Sequence, residues 1–261
     1  MPAPPPPPLH RVPRRPHAWL WLALVAHGLV AWLWWRAGWT WGLAALLAVH
    51  LAFVWGTLRP GSRLFGPVLR RLPAGSPEVW LTIDDGPSND TPAILDLLDT
   101  HAARATFFLV GARAEARPAL VREIAARGHG IGNHSQRHPQ ARFWALGPAA
   151  MRREILECQA TLARITGRAP RWFRAVVGHA NPFVHAPLRE AGLARVAWSA
   201  RGYDAVESDP VRIAQRVARG LAPGAIVLLH EGAPHGRSVE AVAEVLRAVE
   251  AAGYRAALPP D

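Results

Sequence analysis

Lysine is absent from this chain of 261 residues, and all 30 basic side chains are arginine. That absence excludes a lysine Schiff base, bound pyridoxal phosphate, a P-loop lysine and a kinase-type lysine. Cysteine is scarce too. A single Cys158 closes no intrachain disulfide and supports no multi-cysteine zinc or iron–sulfur site. Acids are few, 19 against 30 arginines, for a formal net charge of +11. Twelve histidines remain, so a metal site here must be built from imidazole and carboxylate.

The shortage of acid is uneven along the chain. Residues 1–77 hold eight arginines and no acid, whereas residues 78–261 hold 22 arginines against all 19 acids. Eight of the twelve tryptophans precede residue 60. Two sequences of different composition are joined end to end, an appendage and a larger domain. A pI near 11.5 would suit a nucleic-acid binder. The excess charge flanks apolar segments instead, so a membrane bilayer is the expected partner and nucleic acid is not.

Residues 1–17 form a proline- and arginine-rich tail. The run Pro4–Pro8 cannot make a helix or a sheet ladder, which predicts an extended segment. Residues 18–35 and 39–58 are uncharged apolar runs, separated by Arg36-Ala37-Gly38. Each is about long enough to cross the hydrocarbon core as a helix, and tryptophans cluster near their ends as an aromatic belt does. Residues 18–58 therefore read as a two-helix transmembrane hairpin. The competing assignment, a cleaved signal peptide followed by a buried helix, lacks a clear small-residue cleavage site. His27 and His50 stand isolated in these runs and suit helix packing better than metal binding. Arg11, Arg14 and Arg15 precede the hairpin, and Arg59, Arg63, Arg70 and Arg71 follow it. The positive-inside rule puts both flanks in the cytoplasm, with a three-residue outer turn. This predicts a bacterial-type inner-membrane protein with a cytoplasmic C-terminal domain; insertion of only one span would put that domain on the periplasmic side. Residues 59–77 read as a basic linker.

From residue 78 to 261 the pattern changes. Strand candidates at 79–83, 105–110, 130–132, 172–174, 195–199 and 226–230 alternate with helix candidates at 91–101, 117–127, 149–166, 184–191, 210–220 and 239–252. Cys158 falls inside the long helix as a small apolar residue. This alternation predicts a parallel α/β domain. Polar residues collect where several strands end, which in a parallel barrel is the catalytic rim.

Asp84 and Asp85 end the first strand in Ile83-Asp84-Asp85-Gly86-Pro87. Adjacent buried carboxylates need a cation or a shared proton, although Asp-Gly and Gly-Pro also mark ordinary turns. His134 and His138 flank Ser-Gln-Arg at i and i+4, a spacing that puts both imidazoles on one side of a helical turn. Arg174 ends another strand, where an arginine can grip a carboxylate, although one arginine among 30 also suits an ordinary surface position. Asp204 ends the segment Trp198–Asp204. His230 directly follows four aliphatic residues. Together these side chains supply metal ligands, a base, an acid and orienting groups, a complete kit for metal-assisted hydrolysis.

These five segments, in this order, resemble the motifs of the polysaccharide deacetylases of NodB-homology type, carbohydrate esterase family 4. Thr82–Pro87 resembles the first motif, His134–His138 the second, Phe173–Gly178 the third, Trp198–Asp204 the fourth and Ile226–His230 the fifth. The resemblance spans about residues 78–258 and excludes the hairpin. It implies a distorted (β/α) barrel holding one divalent metal ion, usually zinc. Asp85, His134 and His138 match the metal ligands, Asp84 the catalytic base and His230 the catalytic acid. Arg174 matches the residue that orients the base, and Asp204 the one that orients the histidine. Val177, near an oxyanion donor, and Leu228 match positions bordering the substrate. Two positions depart from the pattern: Val176 stands where a proline is usual, and Ala205 where a tryptophan is frequent.

The resemblance implies removal of N-acetyl groups from amino sugars of a polysaccharide, peptidoglycan or lipid-linked glycan, giving acetate and free amine. A deformylase or related amide hydrolase acting on a lipid-carried amino sugar would use the same residues. A non-catalytic carbohydrate-binding relative would hold no metal, or would hold metal without turnover.

Overall fold

The structure, a computed structural model, describes residues 9–73, 75 and 77–260. The proline run 4–8, two residues of the expected linker (Ala74 and Ser76) and Asp261 lie outside the described residues.

Two long helices open the fold, α1 (Ala18–Ala37) and α2 (Trp39–Leu58). Both are long and apolar enough to cross a membrane by length and composition. The expected break at Arg36-Ala37-Gly38 narrows to Gly38 alone, which adopts φ +93° while the helix runs through Arg36 and Ala37. Glycine tolerates that conformation at no steric cost. His27 and His50 meet edge to face with ring centroids 5.5 Å apart, and each bonds the carbonyl four residues back. They pack the hairpin together.

The α/β domain runs β1 (Glu78–Asp84), α3 (Thr91–Thr100), β2 (Ala105–Leu109), α4 (Gly111–Ala116), α5 (Pro118–Ala126), β3 (Gly130–Asn133) and α6 (Pro148–Thr166). It continues with β4 (Trp172–Phe173), α7 (His185–Glu190), β5 (Ala194–Arg195), β6 (Ala200–Arg201), α8 (Pro210–Ala218), β7 (Ile226–His230), α9 (Ser238–Ala251) and β8 (Arg255–Ala256). Local chemistry sets several boundaries. The Asp209 carboxylate accepts from the Val211 and Arg212 N–H groups at 3.0 and 3.4 Å, and Pro210 starts α8. Gly167, left-handed at φ +72°, ends α6.

Among the described residues the sheet is parallel, in the order β5-β4-β3-β2-β1-β7-β6, with β8 beside β1. It curls into an incomplete barrel with helices outside. The period of two along each strand separates two interiors. Val79, Leu81 and Ile83 of β1 pack outward with Phe107, Leu109, Val227 and Leu229 against the helices. Trp80 faces the barrel axis and packs with Phe108, Trp172 and Ile226. Its indole N–H donates to Thr106 Oγ1 at 2.8 Å. The barrel is thus plugged from below, and Asp84 and His230, paired in register at the strand ends, stand at the rim.

One expected strand is cut short. Of the expected strand 195–199 only Arg195 is in a strand, at the end of β5, and β6 begins after it at Ala200, because another segment takes the intervening backbone. The Leu69 N–H donates to Arg195 O at 2.9 Å, and the Ala197 N–H donates to Leu69 O at 2.8 Å. Arg71 bridges Ala225 on the other side of the seam. Residues 59–73 are therefore packed onto the barrel, with Phe65 and Val68 buried. The short elements α4 and β8 have no counterpart among the sequence expectations.

Candidate active site

The site grows from β1. Because side chains alternate, Thr82 and Asp84 share the inner face above Trp80. Arg174, fully buried at the end of β4, reaches both: its Nη1 donates to Thr82 Oγ1 at 2.8 Å and to Asp84 Oδ1 at 2.7 Å. Nη2 donates to Ala197 O at 3.3 Å, and the guanidinium lies 4.2 Å from the Phe108 ring centroid. Burial lowers the Arg174 pKa, opposed by the charge and hydrogen bond of Asp84. A buried carboxylate fixed this way keeps one oxygen on the arginine and leaves the other toward the cleft.

Asp85 turns away from its neighbour through a left-handed backbone, φ +74°. Its Oδ1 lies 3.3 Å from His134 Nε2 and 3.0 Å from His138 Nε2. The two histidines converge, but not on a helix. Residues 134–138 form a loop in which Ser135 and His138 have φ of +69° and +54°. The expected helical turn fails because Asn133 and Ser135 capture the backbone locally: Ser135 N–H donates to Asn133 Oδ1 at 3.0 Å, and His138 N–H to Ser135 Oγ at 3.1 Å.

His134 Nδ1 donates to Arg174 O at 2.8 Å, which commits the neutral ring's proton there and turns the Nε2 lone pair toward Asp85. No hydrogen bond reaches the buried Asp85 Oδ1. One ligand atom from each of Asp85, His134 and His138 lies within 4.8 Å of the others. Three lone-pair donors facing one another call for a cation between them. The electrostatics agree. Burial alone would raise the Asp85 pKa, yet the two imidazoles hold it well below the carboxylate range. Burial would lower that of His134, yet Asp84 and Asp85 raise it. The residues present fit a divalent metal of the nitrogen- and oxygen-binding kind, with two histidines and one carboxylate.

His230 stands across the cleft. Its Nδ1 lies 3.1 Å from Asp204 Oδ1, and its backbone N–H donates to Asp204 Oδ2 at 2.6 Å. Burial lowers the imidazole pKa, but the Asp204 charge and hydrogen bond outweigh it and raise the value to about 9. Asp204 is itself held, since His235 Nε2 donates to its backbone carbonyl at 2.7 Å.

Asp84, Asp85, His134, His138, Asp204 and His230 line one cleft of 220 Å³, with Val177 and Leu228 on its walls, while Arg174 lies buried behind it. Val176 is buried in a separate cluster with Phe173 and Phe143, so the departure there leaves the cleft surface untouched. Ala205 does line the cleft, and its small side chain leaves that wall open. Among the described residues, five of the six non-glycine residues with positive φ sit at this site: Asp85, Ser135, His138, Val177 and Tyr203. Such strain, on the order of 1–3 kcal/mol each, persists where surrounding structure enforces it and gathers at functional sites.

Sequence reasoning does not single out four contributors. Thr82 is marked only by its two-residue spacing from Asp84. His235 and Arg201 carry no signal beyond their neighbourhood. Glu231, buried, accepts from the Ser88 N–H at 3.1 Å, from Ser88 Oγ at 2.7 Å and from Thr91 Oγ1, pinning the loop after Asp85 to α3.

Comparison with known proteins agrees with this geometry. The family model described as polysaccharide deacetylase matches residues 71–196. A chitooligosaccharide deacetylase of Sinorhizobium fredii is 38% identical over 171 residues, 64% of this chain and 79% of the relative. The crystal structure of a peptidoglycan N-acetylglucosamine deacetylase superposes with TM-score 0.68 at 32% identity, covering 73% of this chain and 90% of that one. A family 4 carbohydrate esterase from Streptomyces lividans, in complex with acetate, superposes with TM-score 0.63 at 30% identity, covering 70% and 98%. With motifs, barrel and rim geometry in agreement, the chain belongs to the polysaccharide deacetylase family, carbohydrate esterase family 4.

Proposed function

We propose that this protein is a membrane-anchored, metal-dependent N-deacetylase of N-acetylated amino sugars. The observation that carries the reading is the convergence of Asp84, Asp85, His134, His138 and His230 on one cleft. Asp85, His134 and His138 would hold the divalent ion, with zinc favoured by a two-histidine, one-carboxylate set. Such an ion supplies Lewis acidity toward the amide carbonyl and lowers the pKa of water.

The chain's own residues supply the proton transfers. Asp84, oriented by Arg174, takes the proton of the attacking water as its oxygen adds to the acyl carbon. His230, protonated and held by Asp204, gives its Nε2 proton to the sugar nitrogen as the C–N bond breaks. One water is consumed, and acetate and a free amine leave. Val177 and Leu228 border the sugar and its acyl arm. Residues 18–58 anchor the enzyme, and the arginines on both flanks favour a cytoplasmic catalytic domain.

The test is amine and acetate release from N-acetylglucosamine oligomers by the purified full-length protein with one equivalent of zinc. Formate release from N-formylated analogues, assayed in parallel, distinguishes acetyl from formyl selectivity. Chelation should abolish turnover, and zinc should restore it. Asp84→Asn should retain zinc while losing roughly 10²-fold or more in rate, the scale of general-base loss. An Asp84→Asn enzyme at full rate would refute the assignment.

A further inference from the structure

The cleft opens beside the hairpin's inner end. Its wall at Val177-Gly178 leans on the residues that follow α2: a Cβ on Gly178 would lie 2.6 Å from both Pro60 Cγ and Trp198 Cη2. Just beyond, the Ala180 N–H donates to Thr57 O, in the last turn of α2, at 2.9 Å. The start of α1 docks on the same loop, where Trp19 and Phe183 meet edge to face at 5.4 Å. Both ends of the membrane hairpin thus attach to the loop that walls the cleft, so the mouth lies at the level where the spans leave the bilayer.

The rim matches that level. Val177, Tyr203 and Val206 line the cleft and are 44%, 48% and 82% exposed. Trp144 is also exposed, and its carbonyl accepts from Asn181 on the same loop at 3.1 Å. Single exposed apolar side chains need no explanation, but a group around one mouth marks a contact surface. Tyrosine and tryptophan suit the headgroup layer in particular.

The cleft also contains one guanidinium. Arg201 is the one arginine among the residues lining it. Its Cζ lies 3.9 Å from the Tyr203 ring centroid and 5.5 Å from that of Trp198, so two aromatic faces hold it in place. Among the described residues no carboxylate forms an ion pair with it, whereas Arg104, Arg152 and Arg216 of the same domain each pair with one. A neutral glycan gives a fixed cation at the mouth nothing to neutralise. A phosphate next to the sugar does, and the planar guanidinium matches it bidentately.

We propose that the substrate is an N-acylated amino sugar joined through phosphate to a membrane lipid, and that Arg201 binds that phosphate while the sugar enters the cleft from the bilayer surface. This rests on the deacetylase and membrane-anchor readings above and narrows their substrate.

The experiment uses the zinc-loaded full-length protein in phospholipid vesicles with three probes at matched concentration. They are polyprenyl-phosphate N-acetylglucosamine in the same vesicles, soluble N-acetylglucosamine 1-phosphate, and chitopentaose. The lipid-borne probe should be deacetylated at least tenfold faster than either soluble one. Arg201→Ala should lower the rate on the lipid-borne probe at least tenfold more than on chitopentaose, and Arg201→Lys should fall between. Equal rates on chitopentaose and the lipid probe would overturn the lipid substrate and leave deacetylation standing. Equal rates on the two phosphates would overturn presentation from the bilayer. An equal loss on lipid probe and chitopentaose in Arg201→Ala would overturn the phosphate contact. No amine from any probe would overturn the deacetylase reading as well.

Discussion

His230 is the residue on which opposed effects are easiest to weigh. Burial disfavours its cation, whereas the Asp204 carboxylate at 3.1 Å favours it and prevails, raising the pKa to about 9. A general acid works only while protonated, so turnover should fall as pH rises through that value. Asp84 and Asp85 contribute to the shift from a greater distance, and a bound cation offsets them. The alkaline limb of the loaded enzyme therefore lies at or below about pH 9. Asp204→Asn removes the principal raising charge and should move that limb down by at least one pH unit, as measured in the pH profile of kcat/KM. A limb that stays in place would show that His230 does not titrate in the profile. Arg174 offers a second check at the same scale. Arg174→Met leaves the Asp84 carboxylate buried without its cation, which costs about 3–5 kcal/mol where one partner of a buried pair is removed. A circular-dichroism melt should register this as a lowered Tm, together with loss of turnover.

At the level of elements, residues 59–73 do more than connect. They fill the seam left where β5 and β6 part, and Phe65 ties that strip to α2 through Phe53, with ring centroids 5.4 Å apart. Phe65→Ala should cost about 3–5 kcal/mol as a buried aromatic truncation, a Tm drop of roughly 10 °C for a domain of this size. A thermal-shift assay of the full chain in detergent checks it, and a drop within 1 °C would mean the strip is dispensable. This strip also shows where sequence reading stops. The strands β1, β2 and β7 are legible as short apolar β-prone runs, and Asp84 and His230 are legible because they end two of them abruptly. The pairing of Leu69 with Val196 is not legible, since a single bridge 127 positions apart leaves no period in the sequence. The His134–His138 loop is half legible. The spacing names both candidate ligands, but their convergence comes from side-chain capture by Asn133 and Ser135, which a helical template hides. Thr82 and Glu231 stay hidden for a related reason: each acts through a partner that only the closed barrel brings near.

On the membrane-anchored reading proposed above, the decisive variable for the whole molecule is the side of the membrane, because it sets which amino sugars can reach the cleft. Both ends of the hairpin meet the catalytic domain, through Trp19 on Phe183 and Thr57 on Ala180, so the two spans leave and return on one face. Seven arginines flank that face at positions 11, 14, 15, 59, 63, 70 and 71, against Arg36 alone near the far turn. An orientation that buried the domain outside would have to carry the arginine-rich flanks across the bilayer, against the bias that sets topology. Alkaline phosphatase fused after Asp261 should therefore be inactive, and a green fluorescent protein fused there should fluoresce. Active phosphatase would reverse the orientation and place the cleft on the periplasmic side. The substrate pool would then change to outer-leaflet lipids and wall glycan, while the chemistry of Asp84, His230 and the metal ligands would stay the same. The same fusion pair made with Arg59, Arg63, Arg70 and Arg71 changed to Gln tests the cause. If these charges set the orientation, their loss should shift the population toward phosphatase activity; an unchanged ratio would assign the orientation to the tail arginines instead.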